Sequence, residues 1–214
     1  RGQYEKQGKR VTAETPVSLM AMPVDQPRNR LGLAQWLVDP KHPLTSRVAV
    51  NRFWQILFGK GLVVTSEDFG TQGSLPTHPR LLDWLANRFV VSGWDIKALL
   101  RLMVTSSTYR QNSAGTETLN QIDPNNALLA RGPRYRMSAE MIRDSALSIS
   151  GLLVGKIGGP SVKPYQPAGL WKEMVNASYE QDHGDNLYRR TLYTFWKRSV
   201  PPPNLLIIDA PTRE

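Results

Sequence analysis

Cysteine is absent from the 214 residues. That excludes disulfides, thiolate zinc sites, iron-sulfur clusters and covalent attachment of a c-type haem within this chain. Histidine is nearly as scarce: His42, His78 and His183 are the three, and none stands four residues from another as paired ligands on a helix face would. No metal site and no cofactor is therefore expected. Uninterrupted apolar runs fall short of the roughly 18 residues that cross a bilayer. Arg1-Gly2-Gln3-Tyr4-Glu5-Lys6 lacks the apolar stretch of a signal peptide. Neither a Gly-x-Ser-x-Gly elbow nor the glycine, lysine and hydroxyl spacing of a phosphate loop occurs, so Gly158-Gly159-Pro160-Ser161 reads as a turn. Acid is in short supply, with 18 Asp and Glu against 27 Lys and Arg and a net charge of +9. Such a balance favours polyanions. The basic residues are nevertheless spread along the chain, with only short doublets at Arg189-Arg190 and Lys197-Arg198, as on a generally solvated surface.

Apolar residues make up 40% of the chain, enough for a core. Residues 1–28 hold Gly2, Gly8, Pro16, Pro23 and Pro27 and read as an extended lead-in with one short strand around Val17 to Met22. Leu31, Leu33, Ala34, Trp36 and Leu37 give a helix ended by Asp39-Pro40. The next segment dominates the pattern. Between Leu44 and Phe58 nine of fifteen residues are apolar and fall on most sides of a helical wheel, so a central helix surrounded by protein is expected, closed by Gly59. Thr77 caps a helix with Pro79 in its first turn, and Asp95 caps another through Leu99 and Met103. A short helix from Asp123-Pro124 and a longer one capped by Ser138 follow. Tyr188 to Trp196 carries the Thr, Tyr, Phe and Trp of a strand, paired with Val175 to Glu180 across a turn at His183 to Asn186. The whole predicts a mainly α, multi-helix, bundle-like domain over 29–214, with a small β-hairpin and an irregular C-terminal part.

Several segments carry a family likeness. Arg30-Leu31-Gly32-Leu33-Ala34-Gln35-Trp36-Leu37, Asn51-Arg52-Phe53-Trp54, Phe58-Gly59-Lys60-Gly61-Leu62-Val63, His78-Pro79-Arg80-Leu81-Leu82-Asp83-Trp84-Leu85, Thr105-Ser106-Ser107-Thr108-Tyr109-Arg110-Gln111 and Arg190-Thr191-Leu192-Tyr193-Thr194-Phe195-Trp196 resemble the planctomycete domain of unknown function 1553. The resemblance covers about residues 28 to 214. It implies a module near the C-terminus of a long exported polypeptide, behind a cytochrome-c-like domain, with no established role of its own. It also implies an extracytoplasmic location and a chain that continues past Asp209-Ala210-Pro211-Thr212-Arg213-Glu214, where Ile208 replaces the family's usual phenylalanine.

Three functional classes stay open. The first is an accessory, non-catalytic module docking neighbouring domains, the cytochrome-c-like one among them, or an anionic polysaccharide. Its binding or ion-pairing residues would be Asn51, Arg52, Trp54, Tyr109, Arg110, Arg134, Arg136 and Arg143, since guanidinium groups and aromatic faces suit both sugars and carboxylates. Asn51 and Arg52 are expected to be buried, with Asp83 of the His78 helix, Glu140 of the Ser138 helix or a carboxylate of the Glu67-Asp68 loop meeting the guanidinium. The second class is a polysaccharide hydrolase using His78, Asp83, Glu140 and Asp144 as acids and bases, which requires two carboxylates at roughly 5 to 10 Å in an open pocket. Glu140, Arg143 and Asp144 share a helix face, a spacing that also makes a salt-bridge ladder. The third, nucleic-acid binding, is motivated only by the net charge, and nucleic acid is not expected as a partner.

Overall fold

A computed structural model describes Lys6 and residues 8–211. Residues 1–5 and 7 of the expected lead-in, and 212–214 of the final segment, lie outside the described residues. The chain divides into two compact units, Arg1–Tyr135 and Arg136–Glu214, where the sequence was read as one domain over 29–214.

In the first unit, α1 (Arg30–Leu37) starts at Asn29, whose side chain accepts the amides of Leu31 and Gly32. The expected strand at Val17 to Met22 is instead a turn, with the Leu19 and Met20 amides on the Pro16 carbonyl. That turn is fastened to α1 by the Trp36 indole, which donates to the Met20 carbonyl at 2.9 Å. The long α2 (Thr45–Phe58) buries Ser46, Val50, Asn51 and Trp54. Its opposite stripe, Arg52, Gln55 and Ile56, is exposed, so the helix has a solvent face after all. α3 (Pro79–Val91) buries Leu82, Leu85, Ala86 and Phe89, an i, i+3, i+4, i+7 stripe. α4 (Ile96–Thr105) adds Leu99 and Met103. Val50, Trp54, Leu82, Leu85, Phe89, Leu99 and Met103, with Leu62 and Val63, form one apolar cluster, each worth about 1.5–3 kcal/mol of burial.

Caps explain most of the boundaries. Asp95 accepts from the Ala98 amide, and Gly59 closes α2 in the left-handed region at φ +82°, where a Cβ is disfavoured. Thr77 does not cap α3: its hydroxyl donates to the Leu62 carbonyl and His78 takes the cap position. α2 has no capping side chain at Leu44. His42 serves instead, its Nδ1 accepting the amides of Leu44 and Thr45 at 3.3 and 3.1 Å. Short helices follow at α5 (Ser107–Arg110) and α6 (Glu117–Ile122). The helix expected from Asp123 is absent because its carboxylate accepts the amides of Ala127 and Leu128 at 2.8 and 2.7 Å, folding the chain into a tight loop.

Burial holds the His42 pKa below its ordinary value, with Asp39 opposing, and a proton on Nδ1 would also turn an acceptor against two amide donors. A lowered folded pKa makes this contribution complete above about pH 6.5 and lost as pH falls below it. Melting temperature is therefore expected to drop between pH 7 and pH 5. His42→Asn, which retains a capping acceptor, should flatten that decline; an identical pH profile in the variant would refute the assignment.

The second unit begins with α7 (Ala139–Ile149), capped by the Ser138 hydroxyl on the Met141 amide. α8 (Leu170–Val175) and α9 (Pro203–Leu206) complete the helices. The expected hairpin does not form, and no sheet is present among the described residues. Gly184–Tyr188 and Thr191–Tyr193 are 3-10 turns. The β-prone stretch bonds elsewhere, to the loop before Lys163: Val154 N–H donates to Tyr188 O at 3.0 Å, while Val162 N–H reaches Tyr193 O and Phe195 N–H reaches Val162 O, both at 2.7 Å. These make isolated parallel bridges, Val154 with Arg189 and Val162 with Thr194.

Candidate functional site

A cleft of about 350 Å3 opens in the first unit where Lys60, just past the Gly59 helix stop, faces the loop after α6. Asn120, Asn125, Asn126, Arg131, Arg134 and Tyr135 line it, and no acidic residue lines it among the described residues. Local geometry sets these side chains. Tyr135 packs over Gly59, where an added Cβ would stand 3.2 Å from its ring, and its hydroxyl donates to the Ile56 carbonyl. Burial raises the pKa of that phenol, and Tyr109 adds to the effect. Lys60 Nζ donates to Asn125 Oδ1. Arg131 Nη2 donates to the carbonyls of Asp123 and Pro124, both at 3.0 Å, whereas its Nη1 is buried with no partner. Asp123 anchors this loop: hydrogen bonds from Leu128 and Ala127 hold its pKa low against the cost of burial, and Arg131 and Lys60 add to the lowering. The arrangement offers cationic and amide donors to an anionic or hydroxylated ligand.

Arg134 is the one sequence candidate that lines this cleft. Lys60, Arg131 and the asparagines were missed, although guanidinium groups either side of Gly132-Pro133 were visible as a signal. The other candidates of the first unit have structural surroundings. Asn51 is fully buried and brackets one residue: its Oδ1 accepts Val63 N–H at 2.8 Å and its Nδ2 donates to Val63 O at 3.0 Å. Nδ2 also reaches Ser66 Oγ at 3.2 Å. The approach is so close that a Cβ on Gly61 would lie 2.6 Å from Nδ2. Arg52 corrects the expectation of burial. Its side chain is 56% exposed and meets Glu67 at 3.1 Å, an exposed pair worth about 0–1 kcal/mol. Trp54 is buried and stacks on Phe58 at 3.8 Å; Tyr109 meets the same Phe58 edge-on at 5.4 Å. Arg110 is exposed. His78 contacts Thr77 and Asp83 pairs with Arg47 at 2.6 Å.

In the second unit Asp144 is the hub. Its Oδ1 accepts Thr191 N–H at 2.7 Å and the Thr191 hydroxyl at 2.6 Å. Arg143 lies 3.9 Å away and Arg190 3.6 Å. Arg143 donates in turn to the carbonyls of Leu187 and Arg189 and to Thr191 Oγ1; burial depresses its pKa while Asp144 opposes. Arg136 pairs with Asp209 at 2.7 Å in the open. Arg189, visible in the sequence only as half of a basic doublet, is 3% exposed. Its guanidinium donates to the carbonyls of Lys156, Gly158 and Pro160 and lies 3.8 Å from the centre of the Tyr193 ring. Asp144 and Asp83 are thus engaged by cations. Glu140 has no ion pair among the described residues.

The model of the family described as PSD1, a protein of unknown function (DUF1553), matches residues 29–214. The chain belongs to that family. The PSD1 match runs across both compact units, from one residue before α1 to the last residue. No curated protein and no solved structure matches the chain. No helix among the described residues is long and apolar enough to cross a membrane.

Proposed function

We propose that this PSD1 domain is a non-catalytic, ligand-binding module of a larger exported polypeptide, and that its cationic cleft takes an acidic polysaccharide. The observation that carries the reading is the lining: Lys60, Arg131 and Arg134 with three asparagine amides and no carboxylate. Guanidinium groups bind carboxylate and sulfate through paired, charge-assisted hydrogen bonds, and the amides suit the hydroxyls between them. The net charge of +9 adds attraction at a distance. The hydrolase alternative draws no support from Asp83 or Asp144, since each is held by arginine. The resemblance supports placement beside a cytochrome-c-like domain as a neighbouring partner in the same polypeptide.

Calorimetric titration with polygalacturonate and with heparin at low salt tests the reading. Removing one charge-assisted contact costs about 1.5–3 kcal/mol, so Arg134→Gln, at an exposed position, is expected to weaken binding about tenfold or more. Lys60→Gln should act in the same direction. Equal affinity in both variants, or tighter binding to duplex DNA than to either polysaccharide, would remove the proposal.

A further inference from the structure

We infer that the second unit carries a separate pocket for a neutral pyranose, independent of the cationic cleft and built from other residues. The pocket, about 270 Å3, is lined by Glu140, Leu192, Thr194, Trp196, Leu205 and Pro211, with Thr191. Two orphaned polar atoms lie among these residues. Thr194 is 9% exposed and its hydroxyl is buried without a partner among the described residues, as is the indole Nε1 of Trp196. A buried donor left unpaired is rare in folded proteins and costly.

Comparable groups at Trp36, Trp171 and Thr191 are satisfied. Trp36 donates to Met20 O at 2.9 Å and Trp171 to Gln166 Oε1 at 2.8 Å, and the neighbouring Thr191 hydroxyl has both Asp144 and Arg143. Thr194 and Trp196 share one pocket with Glu140, the only carboxylate on its wall among the described residues, and one that has no ion pair among them.

The chemistry of the occupant follows from complementarity. An anion would satisfy the indole N–H and the hydroxyl but face Glu140; a cation would satisfy Glu140 and leave the two donors unmet. Vicinal hydroxyls meet all three, since two oxygens accept from Trp196 and Thr194 while two O–H groups donate into the carboxylate. A single peptide amide has one donor and one acceptor and matches less of the wall. Leu192, Leu205 and Pro211 offer apolar contact to the C–H face of a sugar ring, the usual mix of apolar walls and a few placed polar groups. The volume suits one ring.

Saturation-transfer NMR with methyl α-glucopyranoside, methyl β-galactopyranoside and methyl α-mannopyranoside, each at about 10 mM against an expected millimolar affinity, tests the inference on the full 214-residue chain. Transfer from at least one glycoside is expected. Thr194→Val and Glu140→Gln should each weaken it about tenfold, the loss of one hydrogen bond. Thr194→Val should also raise the melting temperature, because it replaces an unpaired hydroxyl by a methyl group. A lower melting temperature with unchanged transfer would mean that the hydroxyl is only structural and would overturn the inference. So would no transfer to the folded wild-type chain, stronger transfer from an N-acetyl dipeptide amide, or loss of transfer in Arg134→Gln alone. That last result would place the sugar in the cationic cleft.

Discussion

Asn51→Asp is expected to cost the first unit about 3–5 kcal/mol at neutral pH, as a buried amide donor is lost and an unpaired charge appears. The asparagine fits because its two ends differ: the oxygen takes the Val63 amide and the nitrogen serves the Val63 carbonyl and Ser66. An ionised carboxylate satisfies the first end and sets a negative oxygen against a carbonyl at the second. A protonated carboxyl, by contrast, can donate there. The folded state should therefore raise the pKa of the introduced acid above its ordinary value near 3.9. A raised folded pKa means that the variant is best preserved below that value and loses ground as pH rises through the carboxyl range. Urea melts of variant and parent, compared at each pH, should show a difference that is small at pH 3.5 and large at pH 7; subtraction cancels the contribution of His42. A constant difference would show that the carboxylate finds another donor. Asn51→Ala should be destabilising at every pH, for it leaves both Val63 groups unpaired.

Asp144→Ala is expected to lower stability by about 3–5 kcal/mol, the range for removing one partner of a buried ion pair. The Arg143 and Asp144 side chains are 13% and 21% exposed. Deleting the acid leaves the largely buried Arg143 with no carboxylate within ion-pairing distance among the described residues, and strips the Thr191 amide and hydroxyl of their acceptor. Hydrogen exchange should speed up in Thr191–Tyr193 and in α7. Asp144→Asn should cost less, since its oxygen still accepts from Thr191, and the gap between the two variants measures the electrostatic share. The Arg143→Met/Asp144→Leu double variant should recover much of the loss, because a buried pair replaced by apolar residues is often near neutral. A double variant worse than either single one would show instead that the bonds from Arg143 to Leu187 and Arg189 carry the stability.

The helices and several of their ends were legible because caps are local. Asp95 and Ser138 each bond to an amide three residues on, and Gly59 needs only its own backbone. The hairpin was misread because propensity says that a stretch suits extended backbone, not what it pairs with. Tyr188 to Phe195 found its carbonyl and amide partners in single bridges, Arg189 with Val154 and Thr194 with Val162. The central helix shows a similar limit. Adjacent residues stand about 100° apart on a helix, so Asn51 and Arg52 could not both enter the core, and the sequence did not say which would. Asn51 follows Val50 and precedes Trp54 by three, on the buried stripe; Arg52 falls outside it.

The cleft was less legible. Of its three cations only Arg134 stood out, because Lys60 and Arg131 come to one cleft through the loop that Asp123 ties, where the sequence pattern suggests a helix. Glu140 was seen in a carboxylate pair, whereas the orphaned Thr194 and Trp196 beside it depend on burial, which no spacing reveals.

Arg189 has a further consequence. It holds the chain at Lys156, Gly158 and Pro160 through main-chain oxygens alone, and such a grip is blind to the side chains it gathers. Across related chains, positions 156 and 160 should drift freely while the arginine stays fixed, and a lysine, with one point of attachment in place of a planar fork, should not substitute for it.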